Sequence, residues 1–245
     1  MMKELKMSSV ILAMVLLMTA CQDNGNNGLF NCIRGEGDKV TQILDIELFH
    51  SIRLRGSSNV FVTQSNDFQV IIQGQQNIID NIELDIQDGR WDIEFEECQR
   101  NFHKLNFYVT IPEVKLLEVS GSGDIIGENE FTGNHFDLKI DGSGNIDVAI
   151  ADAEQIDTRI SGSGKITVDG IAQQLDAKIN GSGDLEAFGL ESLIGDVRIS
   201  GSGDAEVTVQ DDLEVKITGS GDVYYRGNPI INVKITGTGE LISAN

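Results

Sequence analysis

The sequence predicts an all-β chain, a parallel β-helix of about 20-residue coils preceded by an irregular N-terminal β module. Three observations predict it. A Gly-Ser/Thr-Gly turn recurs with its first glycine at Gly121, Gly142, Gly162, Gly181, Gly201, Gly219 and Gly237, at intervals of 21, 20, 19, 20, 18 and 18 residues. That period is too short for a pair of helices and fits one coil of a solenoid. Apolar residues alternate on both sides of each turn, as in Leu213, Val215 and Ile217 before one and Val223 and Tyr225 after it. Period two is the signature of strands with one buried and one wet face. Proline is confined to Pro112 and Pro229, as expected where every central amide serves a hydrogen-bond ladder.

From the N-terminus, residues 1–20 read as a processing segment. Lys3 and Lys6 precede the apolar run "VILAMVLLMTA" (10–20), which is too short to span a bilayer. It ends at Cys21 in "LMTAC", a pattern that resembles a bacterial lipoprotein signal, with Cys21 as the lipidated first residue of the mature chain. Residues 21–38, with "QDNGNNG" (22–28), read as a flexible tether. Removing Lys3, Glu4 and Lys6 with the leader takes the net charge from −21 to −22. So acidic a protein is repelled by nucleic acid and by anionic headgroups, which leaves acyl chains as its membrane attachment. The remaining cysteines, Cys32 and Cys98, form an even pair in an exported chain, so a disulfide is predicted.

Residues 39–115 are β-rich without a clear register, and a boundary is expected near residue 115, after Pro112. Within this module "LRGSSNVFVTQ" (54–64) reads as a decayed copy of the turn, with Ser58 in place of the second glycine. "QDGRW" (87–91) reads as a hairpin, because Asp-Gly supplies its turn. Trp91 is expected in core or hairpin packing.

In the coils, residues 116–245, Gly-Ser-Gly offers two positions free to adopt positive φ, and small side chains let corners stack at the strand spacing. The middle residues, Ser122, Ser143, Ser163, Ser182, Ser202, Ser220 and Thr238, are expected to form a hydroxyl ladder. Outward positions carry charge in rows. Lys139, Arg159, Lys178, Arg198, Lys216 and Lys234 hold one place in successive copies, and Asp137, Asp157, Asp176, Asp196 and Glu214 stand two residues earlier. Such alternation sets register and solvates the surface, or presents a charge grating to a regular polymer. Tyr224 and Tyr225 are a local aromatic excess, read as a contact patch or as packing near the last rungs. The final rung near "ELISAN" (240–245) leaves oligomerisation open.

Several chemistries are argued against. "ISGSGKIT" (160–167) suggests a phosphate loop, yet Ile166 stands where Ser or Thr is needed and Arg159 where the first glycine should be. An acidic residue follows most turns (Asp124, Asp184, Asp204, Asp222, Glu240), but the unit is twice the length of a calcium roll and Asn145 and Lys165 break the row. His50, His103 and His135 show no metal-ligand spacing, no nucleophile elbow is present, and no metal or cofactor is predicted.

"FHSIRLRGSSNVFVTQ" (49–64), "VTIPEVKLLEVSGSGDI" (109–125) and the Gly-Ser-Gly-Asp/Asn turns that follow resemble the auto-transporter adhesin "head GIN domain" family of Gram-negative bacteria. The resemblance implies an exported, often lipid-anchored protein with right-handed parallel β-helical coils. The resulting expectation is a non-enzymatic envelope lipoprotein, periplasmic or cell-surface, whose charged surface binds an unknown glycan or protein ligand. The alternatives are a carbohydrate-active β-helix enzyme, lyase or hydrolase, and a structural envelope spacer.

Overall fold

The computed structural model describes residues 32–245, so Cys21, the leader and most of the tether lie outside the described residues. The described chain is nearly all β, with 68% strand and 2% helix, and forms a β-solenoid of about six turns with an irregular N-terminal sheet. Residues Ile33–Asn245 form one compact unit.

Each coil has two long sides. In one, the strand His135–Gly142 leads to a corner at Ser143-Gly144, and Asn145 opens the next strand. Parallel pairing carries this pattern upward in strict register: Gly121 pairs Gly142, then Gly162, Gly181, Gly201, Gly219 and Gly237 in turn. Inward positions stack into apolar columns. One is Ile140, Ile160, Ile179, Ile199 and Ile217, each at most 1% exposed. A fully buried Ile or Val contributes roughly 1.5–3 kcal/mol, and Leu, Ala and Phe fill the remaining inward places.

The corner works differently from the expectation in two respects. Only the first glycine has positive φ, for example +140° at Gly201 and +130° at Gly162. The second glycine is required by close approach, since a Cβ on Gly203 would collide with the carbonyl oxygen of Gly183 in the coil below. The serine contributes chiefly its backbone. Ser202 N–H donates to Gly181 O at 2.8 Å and Ser182 N–H to Gly162 O at 2.8 Å. A hydroxyl-to-hydroxyl bond joins Thr238 to Ser220 at 3.0 Å.

The N-terminal region is more continuous with the coils than a boundary at residue 115 implies. Ser51–Gly56 pairs with Leu116–Gly121, and Asn59–Gln64 with Asp124–Gly127, both parallel. Gly56, at φ +103°, lies under Gly121. The decayed copy is therefore a parallel rung of the same stack, although it precedes residue 116. Pro112 ends the Asn106–Ile111 strand. Beneath this coil the strands Arg90–Ile93 and Asn106–Ile111 pair onto it. An antiparallel set, Lys39–Leu44, Gln69–Gln75 and Asn106–Ile111, completes the cap. The hairpin forms as expected, with Ile86–Gln87 against Arg90–Ile93 across Asp88 (φ +52°) and Gly89 (φ +71°). Trp91 is fully buried between Phe49 and Phe107, with ring centroids 5.5 and 5.6 Å away, and its indole N–H donates to Glu83 O at 2.9 Å. Cys32 and Cys98 are each disulfide-bonded and flank the paired strands Ile33–Arg34 and Gln99–Arg100.

Gly201→Ala places a side chain at positive φ and against the Gly181 carbonyl, so a loss of about 3 kcal/mol or more is expected in urea unfolding. Ser202→Ala removes an exposed hydroxyl and leaves the backbone bond intact, so a change within about 0.5 kcal/mol is expected. Equal losses at the two positions would show that the hydroxyls and not the glycines set the corner.

Candidate functional site

Register turns the sequence rows into physical columns on the side before the corner. Lys139 pairs Arg159, then Lys178, Arg198, Lys216 and Lys234. Asp137, Asp157, Asp176, Asp196 and Glu214 stack two residues away, ending at Asn232. Alternate residues of a strand share a face, so the two columns run side by side. Asp137, Asp157, Asp176 and Asp196 sit half-buried, while Arg159, Arg198, Lys216 and Lys234 reach into solvent. Ion pairing between the columns runs along the strand: Lys139 Nζ lies 3.2 Å from Asp137 Oδ1, and Arg198 pairs with Asp196.

Below Lys139 the column stays charged but alternates in sign. Glu118 and Arg53 occupy the next two places and Asp92 the one beyond. Arg53 Nε lies 2.8 Å from Glu118, Arg90 Nε 2.6 Å from Asp92, and Arg55 2.8 Å from Glu94. Partial burial works against the Arg53 charge, but Glu118 and Asp92 outweigh it and hold the guanidinium firmly protonated. This network lines a cleft of about 260 Å³ together with Glu83 and Gln87. Sequence reasoning missed it because residues 49–112 lack the glycine pairs that aligned the later coils.

A second cluster was also missed. Stacking sets His135 over Gln155 and Asp137 over Asp157. His135 Nε2 lies 3.2 Å from Asp157 Oδ2 and 4.0 Å from Asp137 Oδ2. One imidazole and two carboxylates suit a divalent cation, and their ligand atoms all fall within 4.8 Å. Both carboxylates have other partners, however: Lys139 on Asp137, and Gln155 Nε2 on Asp157 at 3.1 Å. His135 and Asp137 also border a cleft of about 710 Å³ lined by Gln64, Pro112 and Lys115. The sequence hid this set because its members lie on successive coils.

Tyr224 does not join the basic column. It lies beyond the corner, in register with Glu206 and Ile242, and borders a shallow depression with Asp184, Glu186 and Asp204. Desolvation and the carboxylates of Asp222 and Asp204 push its phenol up. Tyr225 packs against the core. The acidic row on this side has a backbone role. Asp184 accepts the Asp204 N–H at 3.1 Å, Asp204 the Asp222 N–H at 2.7 Å, and Asp222 the Glu240 N–H at 2.8 Å. Where the row breaks, Lys165 pairs with Glu186 one coil on, and Asn145 Nδ2 donates to Asp124 at 2.8 Å.

Burial pushes the Asp196 carboxyl up, and Glu214 and Asp176 add to the shift against the opposing pull of Arg198. A carboxyl raised on folding favours the fold below its unfolded value, about 3.9, and that favour is lost as pH rises through the folded value. Ionised Asp196 is thus a small cost at neutral pH. Asp196→Asn is expected to raise the urea midpoint at about pH 7, through a gain in unfolding free energy of under about 1 kcal/mol, and to lose that advantage near pH 3.5. A lower midpoint for the variant at neutral pH would show that the Arg198 pair dominates.

Known structures share this architecture. The chain is similar to a putative adhesin from Bacteroides fragilis, with TM-score 0.81 and 24% identity over 86% of this chain and 99% of that one. It is similar to a putative adhesin from Parabacteroides distasonis, with TM-score 0.71 and 23% identity over 87% and 100%. A putative lipid binding protein from the same species superposes with TM-score 0.69 and 20% identity over 87% and 99%. At these identities the likeness shows the fold. None of the curated proteins matches the chain. The model of one family matches residues 48–229, from the first coil to the loop before the last one, and on that match the chain belongs to the family described as "Putative auto-transporter adhesin, head GIN domain".

Proposed function

We propose that the chain is an exported, non-enzymatic adhesin-like module that binds a regular charged polymer, glycan or protein, along the columns before the corner. The observation that carries this reading is the register: one cation per coil from Lys139 to Lys234, with a carboxylate column beside it from Asp137 to Glu214. Coils repeat at about 4.8 Å. Each exposed charge is worth under about 1 kcal/mol alone, and a repetitive ligand engages several at once. In this reading acyl chains on Cys21 and the 21–38 tether hold the module at the outer membrane, since a net charge of −22 after leader removal opposes anionic surfaces.

A lipid-binding reading finds less support. The inward columns are filled by Ile, Val and Leu side chains, which leaves the coil interior packed and not open to an acyl chain.

A glycan array and turnover assays on charged polysaccharides test the proposal. Saturable, salt-sensitive binding without turnover is expected, weakened at least about tenfold by Arg159→Glu, Lys178→Glu and Arg198→Glu combined. Turnover abolished by Asp157→Asn would establish a carbohydrate-active enzyme instead. Neither binding nor turnover would leave an envelope spacer.

A further inference from the structure

The two ends of the solenoid are unlike. At the N-terminal end the first coil is covered by the strands Arg90–Ile93 and Asn106–Ile111, and Phe49, Trp91 and Phe107 are at most 1% exposed. At the C-terminal end nothing among the described residues covers the last coil. Its strand Ile230–Gly237 pairs on one edge only, with Ala205–Gly219. The apolar columns nevertheless continue into it. Leu213, Val215 and Ile217 are at most 1% exposed, whereas their register partners Ile231, Val233 and Ile235 are 38%, 45% and 40% exposed. Inward-facing core residues and a row of backbone amides and carbonyls thus end at solvent. Such an edge is a template for another strand.

We infer that this edge is a self-association surface, on which a second copy of the chain docks tail to tail through antiparallel pairing of the two Ile230–Gly237 strands. Head-to-tail stacking would set this open core against an end whose own core, Phe49, Trp91 and Phe107, is already buried. A two-fold arrangement is what remains, and it closes at two copies. Opposite residues of an antiparallel pair point to the same face. A pair centred on Val233 therefore sets Val233 against Val233 of the second copy and Ile231 against Ile235, joining the two apolar interiors. The outward side selects the same register. Asn232 then faces Lys234 of the second copy. The column Asp137, Asp157, Asp176, Asp196 and Glu214, which reaches its end at Asn232, runs on into the second copy's basic column, Lys234, Lys216 and Arg198. Shifting the centre to Lys234 would oppose two lysines, which is unfavourable. Asparagine at the one place where the acid column meets the edge leaves the lysine a neutral acceptor at the seam and carboxylates behind it. Two copies joined in this way carry their capped ends facing opposite directions.

Cysteine cross-linking in membranes from cells expressing the full chain tests the register. Val233→Cys is expected to give a reducible dimer under mild oxidation, because each thiol meets its own copy. Ile231→Cys and Ile235→Cys are expected to do so only when combined in one chain, and Lys234→Cys alone is not. Val233→Lys with Ile235→Lys, at exposed positions, is expected to abolish a two-copy mass in analytical ultracentrifugation while leaving the far-ultraviolet circular dichroism of the folded chain unchanged. A monomer at all concentrations with no Val233→Cys cross-link would overturn the inference. So would a cross-link strongest at Lys234→Cys, or a ladder of larger species.

Discussion

The structure depends on one close contact, repeated at every coil: the corner backbone of one rung lies directly on that of the rung below. The amide after the first glycine donates to the carbonyl of the glycine one coil down, as from Ser163 to Gly142 at 2.9 Å. Both glycines are needed for separate reasons. The first turns the chain at positive φ, and the second lets two backbones approach where a Cβ would collide. With corners locked in this way, register cannot drift by one residue. A slip of one would turn every inward isoleucine out to water. Coil length can still vary between corners, because the excess is absorbed on the far side, where pairing shifts at Ile150/Ala153 and Ala187/Glu191.

Fixed register converts sequence rows into surface columns, and the two sides of the coil use acidic groups differently. After the corner, carboxylates from Asp184 to Asp222 accept the amides of the next coil, so they belong to the scaffold. Before it, carboxylates from Asp137 to Asp196 sit half-buried beside cations that reach outward. Like charges stacked one above another repel, and the neighbouring column of opposite sign offsets that repulsion. At Asp196 burial adds a cost of its own and raises the carboxyl despite the pull of Arg198. On the side carrying Tyr224, by contrast, Asp184, Asp204 and Asp222 are committed to the backbone.

A solenoid must also terminate. At the N-terminal end the aromatic cluster of Phe49, Trp91 and Phe107 and an antiparallel sheet close the core. That closure needed residues unlike the repeat, which is why the segment 39–115 looked irregular. At the other end Ile231, Val233 and Ile235 keep the repeat pattern with no cover among the described residues. The difference gives the molecule a polarity, and polarity decides which contacts between copies can close.

The sequence by itself determined the coil period, the inward columns, the corner and the Asp88-Gly89 hairpin. Each is a local pattern, read from glycine spacing, period two and turn chemistry. It also contained the charge rows, because equal spacing from a glycine means equal place in a coil. Tertiary structure alone decided what met across coils. His135 joined Asp137 and Asp157, Arg53 joined Glu118, and residues 51–64 proved to be a full rung although Ser58 replaces its second glycine. The reason is physical: stacking brings together residues about twenty positions apart, and where the glycine markers fade the sequence holds no ruler for that distance.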